Sequence, residues 1–284
     1  MELSQPTLRE LTQLIHQWSG LVIGKNKAYL IRHRLEPVIR ASGLGSFDEL
    51  LNRLQARDHA RLRESVIDAI TTGETRFFRD PWFFDALLRH VLPECASRLK
   101  GSGRGRHQVR IWSAGSSTGQ EAWSLAMIVR EFLDESDPSL HDAHFSILAG
   151  DISNEAIQTA KAGSYSRTEV DRGVSDARLR KYFTHRGDRW IVNDSLRKLV
   201  QFRRFNLLCL PRELGTFDLA LCRNVMIYFD EPTRARVCQS LRRALHPGGW
   251  LGLGAAESFG GSDAGIQSVK FGRAVLYRAL DPGD

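Results

Sequence analysis

From Val109 onward, short apolar runs alternate with amphipathic stretches, and this alternation constrains the fold more than any other feature. VRIW (109–112), FSILAG (145–150) and FDLALC (217–222) each fit a strand. Helical spacing fills Gln120 to Leu133, and PTRARVCQSLRRALH reads as a further helix ended by Pro247 and Gly248. Strands separated by helices pair in parallel, because each crossover lays its helix against the sheet. The expected architecture is a doubly wound α/β sheet with helices on both faces. WLGLG and VKFGRAVLYRAL supply its last strands.

Upstream the pattern changes. Leu8, Leu11, Leu14, Ile15 and Trp18 recur at helical spacing. The next stretch carries Lys25, Lys27, Arg32, Arg34 and Arg40 around an apolar stripe of Leu30, Ile31, Leu35, Val38 and Ile39. Two more helical runs start near Phe47 and Arg61, with no strand pattern, so residues 1–70 read as a small helical domain. Residues 71–80, TTGETRFFRD, join it to the α/β domain of residues 81–284, and their aromatics exclude a purely solvated tether. Between about 171 and 204 the alternation breaks. The turn at Arg186 to Asp188 separates two strand-like runs, a third ends near Phe205, and together they predict a small antiparallel insert.

Composition narrows the function. The formal charge of +7 favours an acidic partner, without choosing among nucleic acid, an anionic membrane surface and an acidic protein. Cys95, Cys209, Cys222 and Cys238 are scattered, and His141 and His144 lack a third ligand nearby, so no metal site is expected. No run reaches the roughly 20 apolar residues of a membrane span, and MELSQPTLRE is not a secretory signal. A cytoplasmic protein with reduced thiols is the expectation.

A ligand of a doubly wound sheet lies outside the carboxyl ends of its strands. There the turn Gly115 to Gly119 offers close backbone approach and the positive end of a helix. It is neither G-x-G-x-x-G nor a Walker loop, which counts against nicotinamide and nucleoside-triphosphate cofactors. Asp151, closing the second strand, can accept both ribose hydroxyls of an adenosine, or it can cap the next helix. Glu121 can contact a cofactor or answer the helix dipole. Together the three features fit an adenosine cofactor.

Five stretches carry a family resemblance: TTGETRFFRD (71–80), WSAGSSTGQEAWSLAM (112–127), GDIS (150–153), FNLL (205–208) and CRNVMIYFD (222–230). In that order they make the chain resemble the CheR-type chemotaxis receptor methyltransferases over nearly its whole length. The resemblance implies a class I S-adenosylmethionine-dependent methyltransferase fold, Rossmann-like, with a helical N-terminal domain and a small β insert. It implies S-adenosylmethionine as cofactor and S-adenosylhomocysteine as product. The implied cofactor-binding positions are Gly73, Thr75, Arg79, Gly115, Glu121, Asp151, Asn206, Leu207, Arg223 and Asn224, with Tyr228 at the methyl end. Gly73 stands where the family often has Asn, and GQEAWS where it often has GEEPYS, which predicts rearranged packing around a retained Glu121.

The reaction so implied is esterification of glutamate side chains on the cytoplasmic helical domain of chemoreceptors. A glutamate is already ionised at neutral pH, so no general base is required. Arg79 is expected to orient the carboxylate and Tyr228 to hydrogen-bond it or shape the methyl pocket. Lys25, Arg32 and Arg34 on the basic second helix are the expected docking cations. Some family members grip a receptor C-terminal peptide with a longer loop in the insert. THRGDRW is short, so no dependence on such a tether is expected, and a monomer is expected. A nucleic-acid methyltransferase is the first rival, disfavoured because CRNVMIYF lacks the Pro-Pro-aromatic loop of exocyclic-amine enzymes. A non-enzymatic cofactor-sensing or receptor-docking module is the second.

Overall fold

The computed structural model describes residues 1–24, 27–56, 59–101, 108–259 and 265–280. Four helices come first: α1 (Gln5–Ser19), α2 (Ala28–Ala41), α3 (Phe47–Gln55) and α4 (Ala60–Ile70). Ser4 caps α1 and Ser46 caps α3, each hydroxyl accepting the backbone N–H three residues on. Leu8, Leu11 and Ile15 of α1 meet Ile31, Leu35 and Ile39 of α2 and the Phe47, Leu50, Leu51 and Leu54 face of α3 in a core of their own.

The rest alternates. α5 (Pro81–Ala86) runs through a widened turn at Leu87–Val91 into α6 (Leu92–Gly101). Then follow β1 (Val109–Ala114), α7 (Gln120–Glu135), β2 (Phe145–Asp151), α8 (Asn154–Ala162), β3 (Ser164–Ser166), α9 (Arg167–Asp171), α10 (Asp176–Tyr182), β4 (Phe183–Arg186), β5 (Arg189–Val192), α11 (Asp194–Arg197) and β6 (Val200–Arg204). β7 (Phe217–Cys222), α12 (Glu231–Arg243), β8 (Leu245–Leu253), β9 (Ile266–Phe271) and β10 (Ala274–Ala279) complete the chain. Seven strands form one sheet in the order β6-β2-β1-β7-β8-β10-β9, parallel except for β10. Side chains alternate between two apolar layers: Ile111, Leu219 and Leu221 face one, and Trp112, Ala220 and Cys222 the other.

The insert differs from expectation in its membership. Its antiparallel sheet is β3-β5-β4, so it starts at Ser164. The run ending at Arg204 is β6, which pairs in parallel with β2 from Ile147–Val200 to Asp151–Arg204. Its hydrophobic signal was that of an edge strand of the main sheet, burying Phe202 against Trp123. Helix α12 also ends earlier, at Arg243, and His246, Pro247 and Gly248 lie inside β8 as its irregular start. Among the described residues no helix is long and apolar enough to cross a membrane, and no three His, Cys, Asp or Glu side chains are placed to hold a metal.

The helical domain is fastened to the tips of the strands. Leu21 bridges Phe229 in antiparallel fashion, and Val22 N–H donates to the Tyr228 carbonyl at 2.9 Å. His16 Nε2 lies 3.0 Å from Asp230 Oδ2, and Asp68 accepts the N–H of Asn154 at 2.8 Å. These contacts close a roof over the carboxyl ends of β1, β2 and β7.

Candidate active site

Under that roof is a cavity of about 370 Å³. The linker, the tips of β1, β2 and β7, and the segment after β6 each contribute a wall. Gly73, Thr75, Arg79, Gly115, Glu121, Asp151, Asn206, Leu207, Arg223, Asn224 and Tyr228 all line it, although they are spread over 156 positions of sequence from Gly73 to Tyr228 (228 minus 73, plus one).

Residues 71–80 reach this place because their aromatics are core. Phe77 and Phe78 are buried, Phe77 standing edge-on to Tyr165 and Phe183 of the insert. Phe78 N–H donates to Ser124 Oγ at 2.9 Å, which in turn donates to the Gln120 carbonyl. Gly173 admits the linker: a Cβ there would lie 2.0 Å from the Phe77 carbonyl oxygen. The Ser124 and Trp123 of the divergent GQEAWS stretch are therefore packed, Trp123 fully buried against Phe202. The Gly73 carbonyl accepts from Ser117 Oγ at 3.0 Å, tying linker to Gly-rich turn.

The backbone is strained in the cavity wall, at Ser117 and Asn224, and just beside it, at Phe78 and Asp80. Phe78, Asp80, Ser117 and Asn224 hold positive φ without being glycine. Gly115 has φ of 81°, and a Cβ on it would stand 2.5 Å from Val225. This glycine lets the turn after β1 lie against the loop after β7.

Two partly buried carboxylates face the cavity. Asp151 accepts the N–H of Ser117 at 2.8 Å and of Ser153 at 3.0 Å, one on each oxygen. Desolvation nevertheless holds its pKa above the ordinary carboxylate range. Asp151 is not the cap of α8; Ser153 is, so the capping alternative is ruled out. Glu121 accepts from Ser113 Oγ at 2.8 Å, and burial raises its pKa against the opposing pull of Arg223.

Arg223 is engaged with protein groups. Its side chain is 2% exposed and donates to Asp80 Oδ2 at 2.6 Å, to the Arg79 carbonyl at 2.9 Å and to Glu121 at 3.3 Å. It lies over the Phe83 ring at 4.4 Å. Asn206 is likewise committed: its side-chain amide donates to the Trp18 carbonyl at 2.6 Å and its oxygen accepts Leu208 N–H. By contrast, the half-buried Arg79 guanidinium meets no acceptor or anion among the described residues. Asn224 Oδ1 is buried and accepts no hydrogen bond from any of them.

Sequence reasoning missed Asp80 and Glu257. Asp80 sits inside the quoted linker motif and is read only once Arg223 is seen beside it. Glu257, in GAAESF beyond β8, carries no local signal, yet its carboxylate collects four backbone N–H groups of the cavity loops. The docking cations divide. Lys25 lies outside the described residues, and Arg32 is exposed on α2. Arg34 Nη1 donates to the carbonyls of Ala69 and Thr71, both at 3.0 Å, and so closes the end of α4.

A family model described as "CheR methyltransferase, SAM binding domain" matches residues 73–275, and one described as "CheR methyltransferase, all-alpha domain" matches residues 6–71. The chain belongs to the CheR methyltransferase family. This CheR chain is 40% identical over 261 residues to chemotaxis protein methyltransferase 1 of Pseudomonas aeruginosa, covering 92% of this chain and 93% of that protein. Identity to the chemotaxis protein methyltransferase of Vibrio parahaemolyticus is 36% over 277 residues, 97% of this chain and 98% of the other. For the Escherichia coli protein it is 32% over 265 residues, 91% and 86% respectively. The cofactor of this CheR protein is S-adenosylmethionine, which supplies a methyl group carried on a sulfonium. The cavity fits it: it offers two carboxylates, a Gly-rich turn at the strand tips, and a guanidinium and an amide oxygen that meet no partner among the described residues.

Proposed function

We propose that this CheR protein esterifies glutamate side chains on the cytoplasmic helical domain of chemoreceptors; the relatives it resembles are named chemotaxis protein methyltransferases. The observation that carries this reading is Arg79: a half-buried cation in the cofactor cavity that is balanced by none of the described residues. An ionised glutamate carboxylate is its natural complement, and a planar guanidinium fixes both oxygens of one. The acceptor arrives charged, so the chain needs no base. Its residues have to orient the carboxylate and keep water out. Tyr228, whose hydroxyl hydrogen-bonds no described residue, lines the same wall and completes the acceptor site.

In this reading Asp151 offers its remaining lone pairs to the ribose hydroxyls, and Glu121 faces the amine of the methionine moiety. Gly73, Thr75 and Gly115 let the backbone close around it, and Asn224 offers its amide oxygen. Leu207 packs against the adenine; Asn206, its side chain already used, contributes backbone. Arg223 acts by holding Glu121 and the linker in place.

Docking falls to the exposed cations of α2 and its N-terminus, with Arg32 foremost and Lys27 at the cavity, whose lining also includes the exposed Val22. The two-residue turn Gly187–Asp188 between β4 and β5 leaves little loop to hold a peptide, so we infer that the protein works without a receptor tail as tether. Incubation with methyl-labelled cofactor and receptor-containing membranes tests the activity: mild alkali should release labelled methanol. Alkali-stable label would reject a carboxylate acceptor. Calorimetric binding of a free receptor-tail peptide would reject independence from a tether.

A further inference from the structure

The residue best placed to set the acceptor side of the cavity is one that does not line it. Glu257 follows β8 and turns back on itself, its own N–H donating to the Gly254 carbonyl at 2.9 Å. Its Oε2 accepts the N–H of Asn224 at 2.7 Å and of Gly254 at 2.8 Å. Its Oε1 accepts Met226 N–H at 2.8 Å and, more loosely, Ile227 N–H at 3.3 Å. One carboxylate therefore satisfies three consecutive-region donors of the loop between β7 and α12, and bridges that loop to the end of β8.

The loop needs such a clamp. Asn224 holds φ of 60°, a conformation that costs a non-glycine residue of order 1 kcal/mol or more. Met226 and Ile227 open the short 3-10 turn Met226–Tyr228, where the first N–H groups have no carbonyl within the turn to meet, and a carboxylate accepts several such N–H groups from one side. The clamped stretch carries Asn224 at one end and Tyr228 at the other, and both line the cavity. Arg223, just before it, fixes the opposite wall through Asp80 and the Arg79 carbonyl. Glu257 and Arg223 thus divide the work: one holds the loop to β8, the other holds the linker to the loop.

We propose that Glu257 is a positioning residue for methyl transfer, setting Tyr228 against the acceptor and Asn224 against the cofactor by holding the 224–227 backbone. This rests on the receptor reading only for the choice of acceptor. Glu257→Gln places an amide NH2 against the backbone donors of one oxygen and removes the charge, opening half of the clamp while keeping the side chain's size. Gly254→Ala disturbs it from the other side: a Cβ there would lie 2.6 Å from Glu257 Oε2 and 2.8 Å from Asn224 Nδ2.

The test compares the full-length protein with both variants in labelled methyl transfer to receptor-containing membranes. Active sites are counted by S-adenosylhomocysteine titration. The expected result is a fall in kcat on the order of 10- to 100-fold, the range that misplacement of reacting groups by about 1 Å produces. The dissociation constant for S-adenosylhomocysteine should rise by far less than kcat falls, because Asn224 supplies only one of the cofactor's contacts whereas Tyr228 serves the reacting step. The losses from Glu257→Gln and Asn224→Ala should fail to multiply in the double variant, since both act on one loop. Unchanged kcat per titrated site, or a kcat loss matched by an equal loss of cofactor affinity, overturns the proposal. If Glu257→Gln does not fold, Gly254→Ala decides by the same criteria. An inactive wild-type protein would reject the receptor reading instead; the Glu257 comparison then passes to whichever protein acceptor the wild type methylates.

Discussion

Replacing Arg223 by Met isolates the charge network that holds the cavity wall. The side chain is 2% exposed, and its partners Asp80 and Glu121 are 16% and 12% exposed. Arg223→Met keeps most of the aliphatic bulk over Phe83 and removes the cation. Two sequestered carboxylates and the Arg79 carbonyl then lose their donor. Breaking a buried ion pair from one side costs about 3–5 kcal/mol, because the stranded charge stays behind. Losing the cation over the Phe83 ring adds roughly 1 kcal/mol. A chain of this size loses roughly 2–4 °C of Tm per kcal/mol, so the melting temperature should drop by about 10 °C or more. The assay is a thermal melt of cofactor-free protein followed by circular dichroism. The pH dependence gives a second reading. Burial already lifts the Glu121 pKa and Arg223 opposes it, so the variant lifts it further. Native Glu121 then holds its proton to higher pH than the unfolded chain does. Its ionisation penalty is felt as pH rises through that window and is absent below it, so the variant's deficit should shrink on acidification. Adding Glu121→Gln should recover part of the lost stability. A melting temperature within about 2 °C of wild type, against the several kcal/mol expected, would refute the reasoning.

Arg79→Ala should cut kcat on the order of 100-fold, as loss of an orienting clamp does, while thermal stability holds; unchanged turnover removes Arg79 from catalysis. Arg34→Ala should destabilise the protein by about 2 kcal/mol in urea titration, the scale of hydrogen bonds from a charged donor, and leave the receptor KM alone. Arg32→Glu should do the reverse, raising KM with unchanged stability, by an amount that fades as salt rises. Cofactor affinity should weaken as pH falls toward the raised pKa values of Asp151 and Glu121, because the ionised carboxylates are the better acceptors; calorimetry in buffers of different ionisation heat should then show protons released on binding, more of them as the pH is lowered from neutrality.

Period and punctuation carried the α/β sheet, the helical N-terminal domain and the pairing of Asp151 with the Gly-rich turn, because each depends on local spacing. The reach of β6 was not legible. An edge strand buried on one face and a hairpin strand share one alternating pattern, and only the partner, Phe202 against Trp123, separates them. The helix boundary at Arg243 was hidden because Pro247 and Gly248 can start an irregular strand as readily as they can stop a helix. In the site, motif position located the lining side chains but not their use. Arg34 reads like Arg32 in sequence, and only the carbonyls of Ala69 and Thr71 distinguish a strut from a free cation. Glu257 gave no signal at all, since a carboxylate that binds main-chain N–H groups has partners of no particular residue type.

The burial of Phe77 and Phe78 sets the terms on which this protein could be recombined with a relative. Residues 71–80 follow the helical domain in sequence, yet they are wedged between α7 and the β insert and belong to the core of the other half. A chimera that exchanges the N-terminal helices would have to be spliced upstream of Thr71. The incoming segment would also need backbone free to bridge Phe229, as Leu21 does now. Joined further downstream, the graft would carry away the floor of the catalytic chamber together with its roof.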